Sequence, residues 1–164
     1  MRKCKSFEPS VNDNCNVLIL GSMPGIKSLE KKQYYAHPCN RFWKVMGILC
    51  NKDLTNCNYN SRLKILLDNG FALWDTIGTC ERDGSLDSNI KKEKPNDIRQ
   101  LIKRYPNIRI ICLNGNKSYN SFRKYFSEIL SDKQYNIYPL PSTSPANARY
   151  QLNDLINAWE IITK

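Results

Sequence analysis

The sequence predicts a layered α/β protein with a mostly parallel sheet. Two observations carry this reading. Short apolar runs alternate along the chain with stretches that repeat apolar residues at helical spacing. The 164 residues are 41% hydrophobic and 24% charged, enough apolar material for one core, so residues 1–164 are expected to form a single domain.

The elements follow in order. Asn16–Gly21 is an apolar run closed by a turn signal, the pattern of a buried strand. Ser22–Cys39 contains Met23-Pro24-Gly25 and Ala36-His37-Pro38 and reads as a long irregular loop, a kind that is usually functional. Phe42, Trp43, Val45, Met46 and Leu49 form a helical stripe. Leu63, Leu66 and Leu67 mark a second helix, ended by Asn69-Gly70. Phe71–Asp75 is the second strand, and Thr76–Lys94 is polar and turn-rich. Pro95 stands where a helix would begin, with Ile98, Leu101 and Ile102 on one face. Ile108–Leu113 is the third strand, broken by Asn114-Gly115. One helix follows with Tyr119, Phe122, Phe126, Ile129 and Leu130 inward. Tyr135–Leu140 is the fourth strand, and Pro141–Ala148 is a Pro/Ser/Thr loop. Leu152, Leu155, Ile156, Trp159 and Ile162 give the last helix.

In an open parallel sheet, ligands bind beyond the carboxyl ends of the strands. Four segments lie there: Ser22–Cys39, Thr76–Lys94, Asn114–Lys117 and Pro141–Ala148. The net charge of +10 makes an anionic partner the first expectation, nucleic acid before membrane surface. Residues 1–52 hold nine Lys/Arg against three Asp/Glu and supply most of the surplus. A lysine-rich surface from a biased composition would look the same, so charge needs a site to support it. No apolar run is long enough to span a bilayer, and no apolar stretch follows the basic start, so a cytoplasmic protein is expected. The seven cysteines are odd in number and never closely spaced. Free thiols are expected, with no metal.

Two segments carry chemistry. Gly21-Ser22-Met23-Pro24-Gly25 follows the first strand directly and brings backbone N–H groups close to a ligand. It is neither a Walker A loop nor a Gly-x-Gly-x-x-Gly turn, and a plain turn would read alike. Tyr34–Trp43 combines two tyrosines, the only histidine, an amide and an arginine. Tyr35 or Tyr34 can stack on a base, Asn40 can hold water or a base edge, and Arg41 suits phosphate. Phe42 and Trp43 read as core. A lone histidine such as His37 is more often structural than catalytic.

Gly21–Gly25 followed by Tyr35-Ala36-His37-Pro38-Cys39-Asn40-Arg41-Phe42-Trp43 resembles the uracil-DNA glycosylase superfamily. Three further segments resemble its hypoxanthine-DNA (deoxyinosine) glycosylase branch. They are Leu73-Trp74-Asp75 with Cys80–Arg82 and Gly84–Ser88; Leu113–Lys117; and Leu140–Ala148. Together they span about residues 15–160, in order, each on a loop after a strand. The resemblance implies a three-layer α/β/α sandwich around a central, mostly parallel four-stranded sheet. It also implies a monofunctional DNA glycosylase that acts on double- or single-stranded DNA, without cofactor, as a monomer. One departure matters. The mismatch-specific members place a water-positioning asparagine where this chain has Met23, and a thioether cannot do that work. The hypoxanthine branch shares the Ser-Met-Pro-Gly pattern, and its catalytic asparagine maps to Asn40.

The implied roles are these. Asn40 orients the attacking water, while backbone N–H groups of Gly21–Gly25, together with His37, stabilise the departing base anion. Gly21, Ser22, Met23, Tyr35 and Asn114 contact the flipped base. Arg41, Arg82, Ser142, Ser144, Pro145, Ala146, Asn147 and Arg149 meet the DNA, with Pro141–Arg149 as a wedge. Asp75, Arg82, Asp87 and Ser88 have two readings: Arg82 and Ser88 on phosphate, or all four as a loop-stabilising network of caps and ion pairs, and the second is preferred. No lysine falls where a Schiff base is expected, so no strand-cleaving step is expected. Three alternatives stay open: a uracil or G:T/U mismatch glycosylase, a non-catalytic nucleic-acid-binding module of the same fold, or a small-molecule flavodoxin-like domain.

Overall fold

A computed structural model describes residues 1–164. Four parallel strands make the main sheet: β2 (Val17–Gly21), β3 (Phe71–Asp75), β6 (Ile110–Asn114) and β7 (Asn136–Leu140). Their order across the sheet is β3-β2-β6-β7. β2 is central and buried at every position, which is why it reads as an unbroken apolar run. Its side chains alternate between two cores. Val17 and Ile19 join Phe42, Trp43, Met46, Leu66, Leu155 and Trp159 on one face. Leu18 and Leu20 join Ile98, Leu101, Ile111, Phe122 and Phe126 on the other. Helices α2 (Phe42–Cys50), α3 (Tyr59–Asp68) and α7 (Leu152–Trp159) cover the first face. Helices α4 (Ile98–Arg104), α5 (Asn116–Tyr125) and α6 (Ser127–Leu130) cover the second. The result is the expected three-layer α/β/α sandwich.

The helix ends carry local signals. Asn58 caps α3 by accepting from Ser61 N, and Asp97 caps α4 by accepting from Gln100 N. Gln151 and Asp154 form a reciprocal capping box at α7. Gly70, at φ +85°, turns the chain out of α3 into β3.

Four expectations differ from the structure. Ser22–Cys39 is not wholly irregular, because Ile26–Lys31 forms a short helix, α1. Thr76–Lys94 is not a loop. It contributes β4 (Ile77–Glu81) and β5 (Lys91–Pro95), which join β1 (Lys3–Lys5) in a second, antiparallel sheet of order β1-β4-β5. β5 is an edge strand of lysines and a glutamate, so no apolar alternation announces it, and the charges protect its open edge. Pro95 closes β5 rather than opening a helix; α4 begins after its Asp97 cap. The expected single helix after Gly115 is broken at Phe126, whose φ of −132° leaves helical geometry. No helix is long and apolar enough to cross a membrane.

Candidate active site

The carboxyl ends of β2, β3, β6 and β7 open into a cleft of about 640 Å³. It is lined by Gly21–Ser28, Tyr34, Tyr35, His37, Asn40, Asp75, Ser85–Ser88, Asn114 and much of 139–150. All four loop regions expected at the strand ends therefore meet in one place.

The first loop follows β2 directly. The backbone N–H groups of Ser22, Met23 and Gly25 make no hydrogen bond within the chain. The loop is held through other atoms: Arg82 donates to Pro24 O at 2.5 Å, and Ile26 N donates to Ser85 Oγ at 2.9 Å. Gly21 permits a close approach. A Cβ there would stand 2.7 Å from Asp75 Oδ1 and 3.2 Å from the Tyr35 hydroxyl.

Tyr35 has φ +55°, a left-handed backbone that a tyrosine rarely adopts. Its ring stacks on Phe42 with centroids 3.9 Å apart and planes 16° apart. Phe42 and Trp43 are core, as their reading required. Burial, and then Asp75, push the Tyr35 hydroxyl well above its ordinary pKa, so it keeps its proton. Asn40 Oδ1 accepts from Phe42 N at 2.9 Å, which fixes the amide plane at the start of α2. Its Nδ2 has no partner within the chain, so the amide is oriented and still has capacity toward the cleft. His37 is exposed on the rim, and its Nδ1 accepts from Cys39 N at 3.1 Å.

Several residues hold positions other than those expected. Arg41 is a clamp. Its guanidinium donates to the carbonyls of Thr143, Ser144, Asn147 and Tyr150, which occupies the fork that a phosphate would need. Arg82 is fully buried and sits behind Pro24, out of reach of a DNA backbone. Its donated bond holds Pro24, so the side chain braces the first loop. Met23 packs its side chain into a small core with Cys4, Ile77 and Cys80, so only its backbone faces the cleft. Asn114 uses both ends of its amide internally. Its Nδ2 donates to the Tyr35 hydroxyl at 3.3 Å and to Thr143 Oγ1 at 3.2 Å, and its Oδ1 accepts from Thr143 N at 3.1 Å. It reaches a ligand only by exchanging one of these bonds.

The last loop, 141–150, is anchored at its base and open at its tip. Trp159 Nε1 donates to Pro141 O, Asn147 Nδ2 donates to Ser142 O, and Thr143 is fully buried. Ser142 and Ser144 hydroxyls accept backbone N–H groups two residues on, shaping the turn. Pro145, Ala146, Arg149 and Tyr150 are exposed at the cleft mouth. Arg149 makes no ion pair, and with Lys27 it gives the rim positive charge.

The residue that sequence reading underrated is Asp75. It ends β3, is 4% exposed, and lines the cleft. Its Oδ2 is buried with no hydrogen-bond partner. Burial, and then the neighbouring Asp87, push its carboxyl up to about 8, with Arg82 pulling the other way. Asp87 lies on an exposed turn, but its carboxylate turns in to accept from Ser22 Oγ at 2.7 Å. The Asp in the Leu-Trp-Asp strand end was a signal, because an acid at the last position of a buried strand points toward the site. The seven cysteines are all free, and no group of three or more His, Cys, Asp or Glu is placed to hold a metal ion.

A family model described as the uracil DNA glycosylase superfamily matches residues 8–163. The chain is 38% identical over 147 residues to a hypoxanthine DNA glycosylase of Methanosarcina barkeri, covering 90% of each chain. It is 35% identical over 158 residues to a hypoxanthine DNA glycosylase of Methanosarcina acetivorans, covering 96% of each. A solution NMR structure of a Methanosarcina acetivorans protein described as a uracil DNA glycosylase superposes with a TM-score of 0.84 at 35% identity. That superposition covers 99% of this chain and 97% of the other. With the sandwich, the strand-end cleft and its loops already in place, these matches assign the chain to the uracil DNA glycosylase superfamily.

Proposed function

We propose that this chain is a monofunctional DNA glycosylase that removes hypoxanthine from DNA by hydrolysing its N-glycosidic bond. The observation that carries the reading is the cleft itself. An oriented amide, a stacked tyrosine and three unpaired backbone N–H groups surround one pocket, and a rigid Pro-containing loop stands at its mouth. The near full-length relatives described as hypoxanthine DNA glycosylases support the choice of base.

The target base lies inside the DNA stack, so the nucleotide is flipped out, at a cost of a few kcal/mol. The tip Pro145–Ala146 fills the gap left behind, and Arg149 and Lys27 meet flanking phosphates. In the cleft the base stacks on the Tyr35 face that Phe42 does not cover, a contact worth roughly 1–3 kcal/mol. The sugar passes through an oxocarbenium-like state. Asn40 orients the water that attacks C1′. An amide is a poor base, so its contribution is positioning. The N–H groups of Ser22, Met23 and Gly25 favour the negative charge that develops on the departing base.

The test is a panel of duplexes with a single inosine, deoxyuridine or deoxyxanthosine, incubated with the protein and then treated with hot alkali. Strand breaks at inosine support the reading. Breaks at deoxyuridine alone replace hypoxanthine with uracil, as the description of the NMR structure would have it. Binding without breaks at any base leaves a nucleic-acid-binding module.

A further inference from the structure

Asp75 has the cleft in front of it and no donor bound to either carboxyl oxygen, and its Oδ2 is sealed from solvent. Its backbone carbonyl, by contrast, is fixed by Asn96 Nδ2 at 2.8 Å. The side chain is thus held at the end of β3 against Gly21, whose missing Cβ makes room for it.

The charges around it set its state. Asp87 faces it from the short 3-10 turn Asp87–Asn89, and Arg82 from the end of β4. The hydroxyls of Tyr34 and Tyr35, from the segment after α1, and of Tyr59, from α3, lie within its electrostatic reach. Arg82 is the only cation of the group, against two carboxyls. Burial raises the Asp87 carboxyl, but the bond donated by Ser22 and the charges of Arg82 and Lys117 favour its ionised form, whereas Asp75 has only Arg82 in its favour. Lys117, which also acts on Asp87, is held by Glu93 at 2.6 Å. One cation then balances one carboxylate. No charge remains for Asp75, and like charges in one site do not both ionise readily.

We propose that Asp75 meets the flipped base as a neutral carboxylic acid and gives it a proton as the N-glycosidic bond breaks. The inference rests on the glycosylase reading of this cleft. The C1′–N bond breaks and its electron pair leaves with the base. The proton of Asp75 moves to a ring nitrogen or carbonyl oxygen of that base, leaving a carboxylate. Water adds its oxygen to C1′, and the proton it releases restores the acid. The products are a neutral free base and an abasic sugar, with every proton accounted for. A carboxylate at this position would oppose the leaving anion, whereas a neutral acid assists it.

The experiment is single-turnover release of hypoxanthine, with enzyme saturating, across pH 6 to 9.5, for the wild type and Asp75→Asn. The amide keeps the shape and a hydrogen-bond donor but cannot transfer a proton. The wild-type rate is expected to fall as pH rises through about 8, where Asp75 ionises. Asp75→Asn is expected to be slower by about 10²-fold at pH 7 and to lack that fall. Titration of the base or of other groups appears in both profiles, so the difference belongs to Asp75. Equal rates, or the same fall in both proteins, overturn the proposal. A carboxyl-carbon NMR signal from Asp75 of the folded wild type provides a reading that needs no variant: an ionised carboxyl at pH 6 overturns it too. Hypoxanthine release by the wild type with an unaffected Asp75→Asn removes only this role. No release by the wild type at any pH removes the glycosylase reading itself.

Discussion

Gly21 and Asp75 are register partners on β2 and β3, and a Cβ on Gly21 would stand 2.7 Å from Asp75 Oδ1. The backbone of one strand end thus abuts the carboxyl of the next. That contact leaves Asp75 buried at the cleft wall, and the same space admits the Tyr35 hydroxyl.

Gly21→Ala tests this packing. The methyl group meets Asp75 and Tyr35 together, and both are held by their surroundings. A loss of about 1–3 kcal/mol is expected, as for overpacking elsewhere. Denaturant melts measure it, and hypoxanthine release is expected to fall further than stability alone explains.

Asp75 also links stability to pH. Its carboxyl is pushed up to about 8 in the folded chain, against about 4 in an unfolded one. Between those values the unfolded state releases a proton that the folded state keeps. Stability therefore falls as pH rises from about 4 to 8, and this contribution levels off above 8. Asp75→Asn removes that term. The melting temperature of the variant minus that of the wild type is expected to grow from pH 4 to pH 8. A constant difference would show that Asp75 does not stay protonated.

Arg41 and Arg149 separate a clamp from a phosphate contact. Arg41 is committed to four carbonyls of the 141–150 loop, while Arg149 is exposed and unpaired at its tip. Arg149→Ala is expected to lower the slope of log affinity against log salt by about 0.7–0.9. Arg41→Ala is expected to leave that slope alone, lower the melting temperature and weaken binding by loosening the loop. Binding titrations at several salt concentrations distinguish the two.

Asn40→Ala tests the water-positioning role. Its Oδ1 bond to Phe42 N also closes a turn at the entry to α2, so a modest loss of stability, about 1 kcal/mol, is expected. Excision is expected to drop about 10²–10³-fold, the cost of losing one oriented polar group at a reacting centre. Binding to inosine-containing DNA should persist. Unchanged excision would reassign the water.

The main sheet was legible because β2, β3 and β6 are almost wholly buried and read as apolar runs, while the half-exposed edge strand β7 shows as an alternating pattern. The second sheet was not. β5 is Lys-Lys-Glu-Lys-Pro, and its pairing with β4 depends on tertiary contact rather than on its own pattern. The cleft was legible as four loops after four strands, but the work of single side chains was less so. Arg41 follows Asn40 directly and carries the charge a phosphate needs. Only the fold shows that it turns to carbonyls about a hundred residues downstream. Asn114 has a base-reading amide, yet that amide ties Thr143 and Tyr35 together. Asp75 read as an ion-pair partner because its surroundings were unseen. Its one nearby cation, Arg82, faces two carboxyls, and that imbalance exists only in three dimensions.

The central claim is that this cleft breaks an N-glycosidic bond and does not merely hold DNA. Its most direct measurement is the free base released from a duplex carrying one inosine, identified by mass, together with the abasic sites left in the strand. The account predicts hypoxanthine and abasic sites in equal amounts, with no strand cleavage until alkali is added. Tight binding of the duplex with no free base would contradict it.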